Sequence, residues 1–125
     1  MERVVGIGGV FFKARDPKAL AAWYRENLGV PVVEGQTYGP FRSGGSGEET
    51  VWSTFPDDTI YFGSGRSSCM INYRVRNLDA MLAQLKAAGA TVDDHVDEYE
   101  YGRFGWATDP EGNRFELWEP KETPA

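Results

Sequence analysis

The chain has 125 residues, enough for one domain and short of what two would need. Hydrophobic residues make up 41% and aromatics 14%, which provides a sizeable core and excludes disorder. A formal net charge of −6 opposes phosphate backbones, and the single Cys69 excludes an internal disulfide or a multi-cysteine zinc site. No apolar run approaches the roughly 20 residues of a membrane span, and Met1-Glu2-Arg3-Val4 opens no signal-peptide core. The expected setting is the cytoplasm, without nucleic-acid or membrane partners.

Val4 to Arg15 reads as a strand with Gly8-Gly9 inside it, a mark of a bulge or a close approach. Asp16-Pro17 starts a helix, with Asp at the N-cap and Pro at the first helical position. Leu20, Trp23, Tyr24 and Leu28 recur at helical spacing, and Gly29 closes the helix. Pro31-Val32-Val33 begins another extended piece. Glu34 to Glu49 is a flexible loop or the tips of two weak strands. Val51 to Phe55 and Thr59 to Phe62 suggest a hairpin through Pro56-Asp57-Asp58, followed by a linker over 63–68.

The pattern then restarts. Cys69 to Val75 is a strand, Asn77 caps a helix running to about Ala88, and Leu78, Met81, Leu82 and Leu85 form its apolar stripe before Gly89. Thr91-Val92 is extended, and Tyr99 to Thr108 forms a strand or a hairpin around Gly102. Asp109-Pro110-Glu111-Gly112-Asn113 is a turn, and Arg114 to Trp118 is the last strand. Overlaying the halves places Asp16 on Asn77 (a shift of 61), Gly29 on Gly89 (60) and Pro56 on Pro110 (54). That is a βαβββ duplication, in which neither half buries its sheet alone.

The repeat, Asp16-Pro17 leading to Trp23-Tyr24 and Leu28-Gly29, and the run Asp109-Pro110-Glu111-Gly112-Asn113-Arg114-Phe115-Glu116-Leu117 resemble the vicinal oxygen chelate superfamily of glyoxalases, bleomycin-resistance proteins, fosfomycin-resistance enzymes and extradiol dioxygenases. The resemblance implies an α+β fold, with a single domain over 4–120 made of modules 4–64 and 69–120. Their strands would form an open, cup-shaped mixed sheet with helices outside, and the chain would pair as a homodimer. In metal-dependent members four positions on the cup floor, usually His or Glu, hold the ion. Counted from the helix caps and the turn, they fall here on Gly9, Phe62, Met70 and Glu116. Glycine and phenylalanine offer no lone pair, and a thioether suits Cu(I) rather than a hard cation. A catalytic ion needs about three protein ligands, so no metal and no other cofactor is expected.

Strand alternation turns Gly9, Phe11 and Lys13 to one face, with Ile60, Phe62 and Ser64, then Met70, Asn72 and Arg74, then Arg114, Glu116 and Trp118. Phe11, Phe62, Met70, Trp106 and Trp118 with Asn72 and Arg74 make a lining suited to a small, planar organic ligand, and Gly9 would enlarge it. The alternative is that these side chains merely fill a core. Glu116 is a candidate general acid or base, since an apolar cup raises a carboxyl pKa, or it pairs with Arg74 or Arg114. The functional expectation is a metal-free small-molecule binding protein. The alternative is a lyase, isomerase or dioxygenase-type enzyme using Glu116 or a non-standard metal site.

His95, in an acidic stretch, reads as a solvated loop residue and Cys69 as a buried structural thiol. Tyr99 and Tyr101 would share one face and Phe104 and Trp106 another, walling the cup or serving a core or dimer contact. Arg103 is placed to hold an anionic group, and 38–49 is either a lid offering Tyr38, Phe41 or Arg42, or a plain connection.

Overall fold

The computed structural model describes residues 1–42, 48–63 and 67–121. Its elements are β1 (Gly6–Ala14), α1 (Pro17–Leu28), β2 (Tyr38–Arg42), β3 (Glu49–Pro56), β4 (Cys69–Arg74), α2 (Leu78–Ala87), β5 (Thr91–Val92), β6 (Asp97–Tyr99), β7 (Gly102–Thr108) and β8 (Arg114–Pro120). The fold is α+β, with mixed and open sheet structure. The chain divides into two compact units, one of residues 8–71 and one of residues 1–7 with 72–125.

In the 8–71 unit the strand order is β2-β3-β1, with β3 parallel to β1 and antiparallel to β2. Helix α1 starts where Asp16 accepts a hydrogen bond from the Ala19 amide at 3.1 Å, and ends at Gly29 in the left-handed region (φ 69°). Phe12, Tyr24 and Trp52 meet edge-on or tilted at 5.0–5.9 Å, fixing α1 against β1 and β3. The Thr54 hydroxyl donates to the Pro17 carbonyl at 2.9 Å and ties the start of α1 to β3. On the other face of the strands, Phe55 contacts Phe11, Tyr61 and Phe62 at 5.2–5.5 Å.

In the other unit the order is β4-β8-β7-β5, with β6 also on β7. Strand β8 runs parallel to β4 and antiparallel to β7. Asn77 caps α2 by accepting from the Ala80 amide at 3.0 Å, and Glu119 accepts from the Leu78 amide at 2.8 Å. The expected stripe of α2 is the core: Leu78, Met81 and Leu82 bury against Val75 and Leu117, with Leu85, Tyr73 and Phe115 packed around them. Gly105 lets α2 lie close, because a Cβ there would sit 3.2–3.3 Å from the Leu78 and Leu82 methyls.

Several expectations are corrected. Residues 31–33 form no strand, and of the two readings of 34–49, a flexible loop or the tips of two weak strands, the second holds at Tyr38–Arg42, which is β2 paired along β3. Thr59 to Phe62 is no hairpin arm: the Thr59 amide bonds the Pro56 carbonyl and the Gly63 amide bonds that of Ile60, so the segment coils through successive turns. Ile60 therefore projects into solvent at 88% exposure, whereas Phe62 is buried. Ser64 and residues 43–47 lie outside the described residues. The first half is thus strand–helix–two strands among the described residues, and the second strand–helix–four strands. The pairing also re-registers the repeat: Phe11 stands beside Ser53 as Asn72 stands beside Glu116. The counterpart of Glu116 is Ser53, not Phe62, because Pro56 ends a strand while Pro110 precedes one.

Candidate functional site

The helix-free face of the β4-β8-β7 sheet collects the polar candidates. Register pairs Asn72 with Glu116 and Arg74 with Trp118 across β4 and β8, and Trp106 with Glu116 and Phe104 with Trp118 across β7 and β8. Alternation then turns all six side chains to the face opposite α2. Glu116 is 2% exposed, yet it is not embedded in hydrocarbon alone. The Trp106 indole N–H donates to its Oε2 at 3.0 Å, and the Asn72 amide lies 2.5 Å from its Oε1. Burial strips water from the carboxylate and pushes its pKa up to about 8, so the neutral acid predominates at pH 7.

Both arginines expected beside Glu116 have other partners. Arg114 pairs with Asp93 at 2.9 Å and lies over the Trp106 ring, and Arg74 donates to the Ile7 carbonyl at 3.1 Å. His95 is exposed as expected, but its ring stacks on Trp106 at 5.0 Å, which residue spacing could not foretell.

Toward the β6–β7 end the face becomes aromatic. Phe104 and Trp118 lie parallel at 5.8 Å, and Tyr99 and Tyr101 stack at 5.3 Å with their edges toward Phe104. The tyrosines therefore join Phe104 rather than standing on another face. Both are more than half exposed. The Trp118 indole N–H donates to the Tyr101 carbonyl at 3.1 Å, locking its ring. The aromatic residues are plain in the sequence, whereas the β6–β7 turn that folds Tyr99 and Tyr101 onto Phe104 is not.

The remaining apolar candidates lie in the 8–71 unit. Phe11, Phe62 and Met70 are buried there, with the Lys13 ammonium 5.6 Å above the Phe62 ring. Gly9 opens no space: a Cβ there would stand 2.7 Å from the Phe11 ring, which folds over it. Cys69 is exposed at the start of β4, not a buried thiol. Arg103 holds Asp79 at 3.0 and 3.2 Å and Glu98 at 3.0 Å, so the fold occupies the charge expected to await a ligand. That guanidinium holds the Asp79 carboxyl below its ordinary range.

The metal positions of the superfamily do not fit a hard cation here. With the register corrected they are Gly9, Ser53, Met70 and Glu116, and the Ser53 hydroxyl donates to the Thr54 carbonyl at 3.2 Å. One hydroxyl, one thioether and a carboxyl already hydrogen-bonded by Asn72 and Trp106 supply too few free oxygens or nitrogens. Among the described residues no three His, Cys, Asp or Glu side chains come together.

The model of the glyoxalase-like domain matches residues 9–118. The chain belongs to the glyoxalase-like family. Solved structures of similar fold include methylmalonyl-CoA epimerase from Mycobacterium tuberculosis, at TM-score 0.67 and 20% identity over 95% of this chain and 90% of that one. A Streptomyces coelicolor methylmalonyl-CoA epimerase variant in complex with 2-nitronate-propionyl-CoA aligns at TM-score 0.72 and 17% identity, over 93% and 97% of the two chains. A glyoxalase/bleomycin resistance protein/dioxygenase superfamily member from Vibrio splendidus aligns at 0.58 and 14%, over 94% and 98%. These likenesses carry the fold alone. No curated protein matches the chain in sequence. Among the described residues of this glyoxalase-like chain, no helix is long and apolar enough to cross a membrane.

Proposed function

We propose that this glyoxalase-like chain binds a small, planar organic molecule, without a metal, on the helix-free face of its second-half sheet. The observation that carries the reading is the juxtaposition of a buried, hydrogen-bonded Glu116 with the half-exposed terrace of Tyr99, Tyr101, Phe104 and Trp118 on one face. Rings supply contact area at low entropic cost, and a few polar groups (Glu116, Asn72, Arg74) fix orientation. Phe11, Phe62 and Met70, buried in the 8–71 unit, are proposed by themselves as apolar ligand contacts of that unit. A ligand at a hundredfold excess over its Kd adds about 2.7 kcal/mol of stability. The test is a thermal-shift screen against planar aromatic compounds: a rise in Tm on the order of 10 °C, abolished by Trp118→Ala, supports binding, and no shift across the panel contradicts it.

A second reading, in which the face is an enzyme's active site, is favoured by one observation: burial holds the Glu116 carboxyl at a pKa of about 8, near the optimum for proton transfer at neutral pH. Glu116 is then the general acid or base. Because structural neighbours include methylmalonyl-CoA epimerases, the direct check is deuterium uptake from D2O into methylmalonyl-CoA. Uptake that Glu116→Gln abolishes supports acid/base catalysis, and no uptake removes this substrate.

By resemblance we also propose one domain over 4–120 made of modules 4–64 and 69–120, a cytoplasmic setting and a homodimer. Light scattering giving the mass of a single chain would contradict the dimer.

A further inference from the structure

The two helices hold equivalent places in the repeat but treat their apolar stripes differently. On α2 the stripe is core, with Leu78, Met81 and Leu82 buried. On α1 only Ala21 is buried, and Trp23 is 52% and Leu28 63% exposed. Tyr24 takes the inward place against Phe12 and Trp52, and Trp23 stands edge-on to it at 5.2 Å. Beside Trp23 the 8–71 unit has an open groove of about 1020 Å³, lined by Leu20, Trp23 and Tyr24 together with Lys13, Arg15 and Asp57. Arg15 and Asp57 are exposed, and among the described residues neither has an ion-pair partner. A chain of net charge −6 repels its own copies, so a contact between two of them needs cations at the seam. The groove has them.

We propose that a second copy of this chain docks in this groove about a two-fold axis, each Trp23 entering the other copy's groove and each Arg15 meeting the partner's Asp57. This rests on the homodimer proposed above and names its surface. Under two-fold pairing residue i meets j and j meets i, so the patch must carry both members of every contact. It does: a half-exposed indole stands beside an apolar recess, and an unpaired cation and an unpaired carboxylate line the same groove. A small ligand would account for the recess and the rings, but self-pairing also uses both signs of charge. Tryptophan suits the anchoring place, since large rings that fill a partner's pocket dominate interface energies. The pairing covers the flank of α1 that its own core leaves bare.

Sedimentation equilibrium of the whole chain at about 0.1 M salt, where charges in contact still interact, tests the proposal. The parent is expected at twice the mass of one chain. Trp23→Ser raises the dissociation constant of the dimer roughly thirtyfold or more, as loss of a central anchor does. Arg15→Asp alone and Asp57→Arg alone each set like charges at both contacts and give single chains. An equimolar mixture of those two variants recovers the dimer, because both contacts then join opposite charges. Arg15 and Asp57 are exposed, so the charge variants decide even if Trp23→Ser fails to fold. Dimers that persist in both charge variants overturn the surface and leave the homodimer standing on another face. A mixture that stays monomeric overturns the two-fold pairing. A parent with the mass of one chain contradicts surface and homodimer together, and a thermal shift from planar aromatic compounds that Trp23→Ser then abolishes gives the groove to a small ligand instead.

Discussion

A carboxyl group enclosed by protein loses the water that stabilises its charge, and Glu116 shows the consequence in a pKa near 8. The raised value has a sign that stability must follow. Between the unfolded value, 4.5, and about 8, the folded chain keeps a proton that the unfolded chain has released. Stability attributable to Glu116 is therefore full below the unfolded pKa and falls as pH rises through that window, by about 1.4 kcal/mol per pH unit where the difference is complete. Glu116→Gln removes this dependence, so the variant is expected to melt above the parent at pH 9 and to converge with it near pH 5, in denaturant titrations at both pH values. A parent whose stability does not fall over that window contradicts the buried acid. The sequence made Glu116 visible as the one carboxylate at a ligand position. It did not reveal the hydrogen bonds from Trp106 and Asn72, because those depend on which residues stand opposite across three strands.

At the scale of elements, the helix ends were the most legible features, since a cap is a local interaction between residues three apart. Asp16 and Asn77 cap as expected, and Asn77→Ala is expected to cost about 1 kcal/mol in chemical denaturation. Gly102 carries a different constraint: its φ is 139°, and a Cβ would collide with the Glu119 carbonyl and stand 2.6 Å from the Trp118 indole nitrogen. Gly102→Ala is expected to lower Tm by several degrees and to weaken aromatic ligands as well, because the β6–β7 turn seats Tyr101 against Phe104; an unchanged Tm and affinity contradict that role. The false hairpin at 51–62 has an identifiable cause. Pro56-Asp57-Asp58 is good turn chemistry, but nothing in alternation distinguishes a returning strand from turns that continue, and the exposed Ile60 is the residue that betrays the difference. Strand β2 was obscured for the opposite reason. Tyr38-Gly39-Pro40-Phe41-Arg42 holds two strand-breaking residues, and its pairing with β3 overrides them.

For the molecule as a whole, the strand–helix opening shared by the two halves was readable from two caps and two glycines, and the family match over 9–118 agrees with the resemblance those residues carried. The alignment of the two halves was not fully readable. It leaned on Pro56 and Pro110, one at the end of a strand and one in a turn before a strand, and only parallel pairing shows that Ser53 answers Glu116. The shortage of donors persists with Ser53 in place of Phe62, because a hydroxyl engaged with the next carbonyl adds little to a site for a hard cation. Purified protein is accordingly expected to carry Zn, Mn, Ni and Fe far below one equivalent by elemental analysis. Near-stoichiometric metal that leaves with a chelator and takes ligand binding with it would sink the metal-free proposal. The central claim is that a neutral acid, not a coordinated ion, stands at this position. Following the Glu116 carboxyl carbon by 13C resonance across a pH titration tests it most directly: a midpoint near pH 8 is predicted, and one in the ordinary range of a solvated glutamate, about 4.3, contradicts the account.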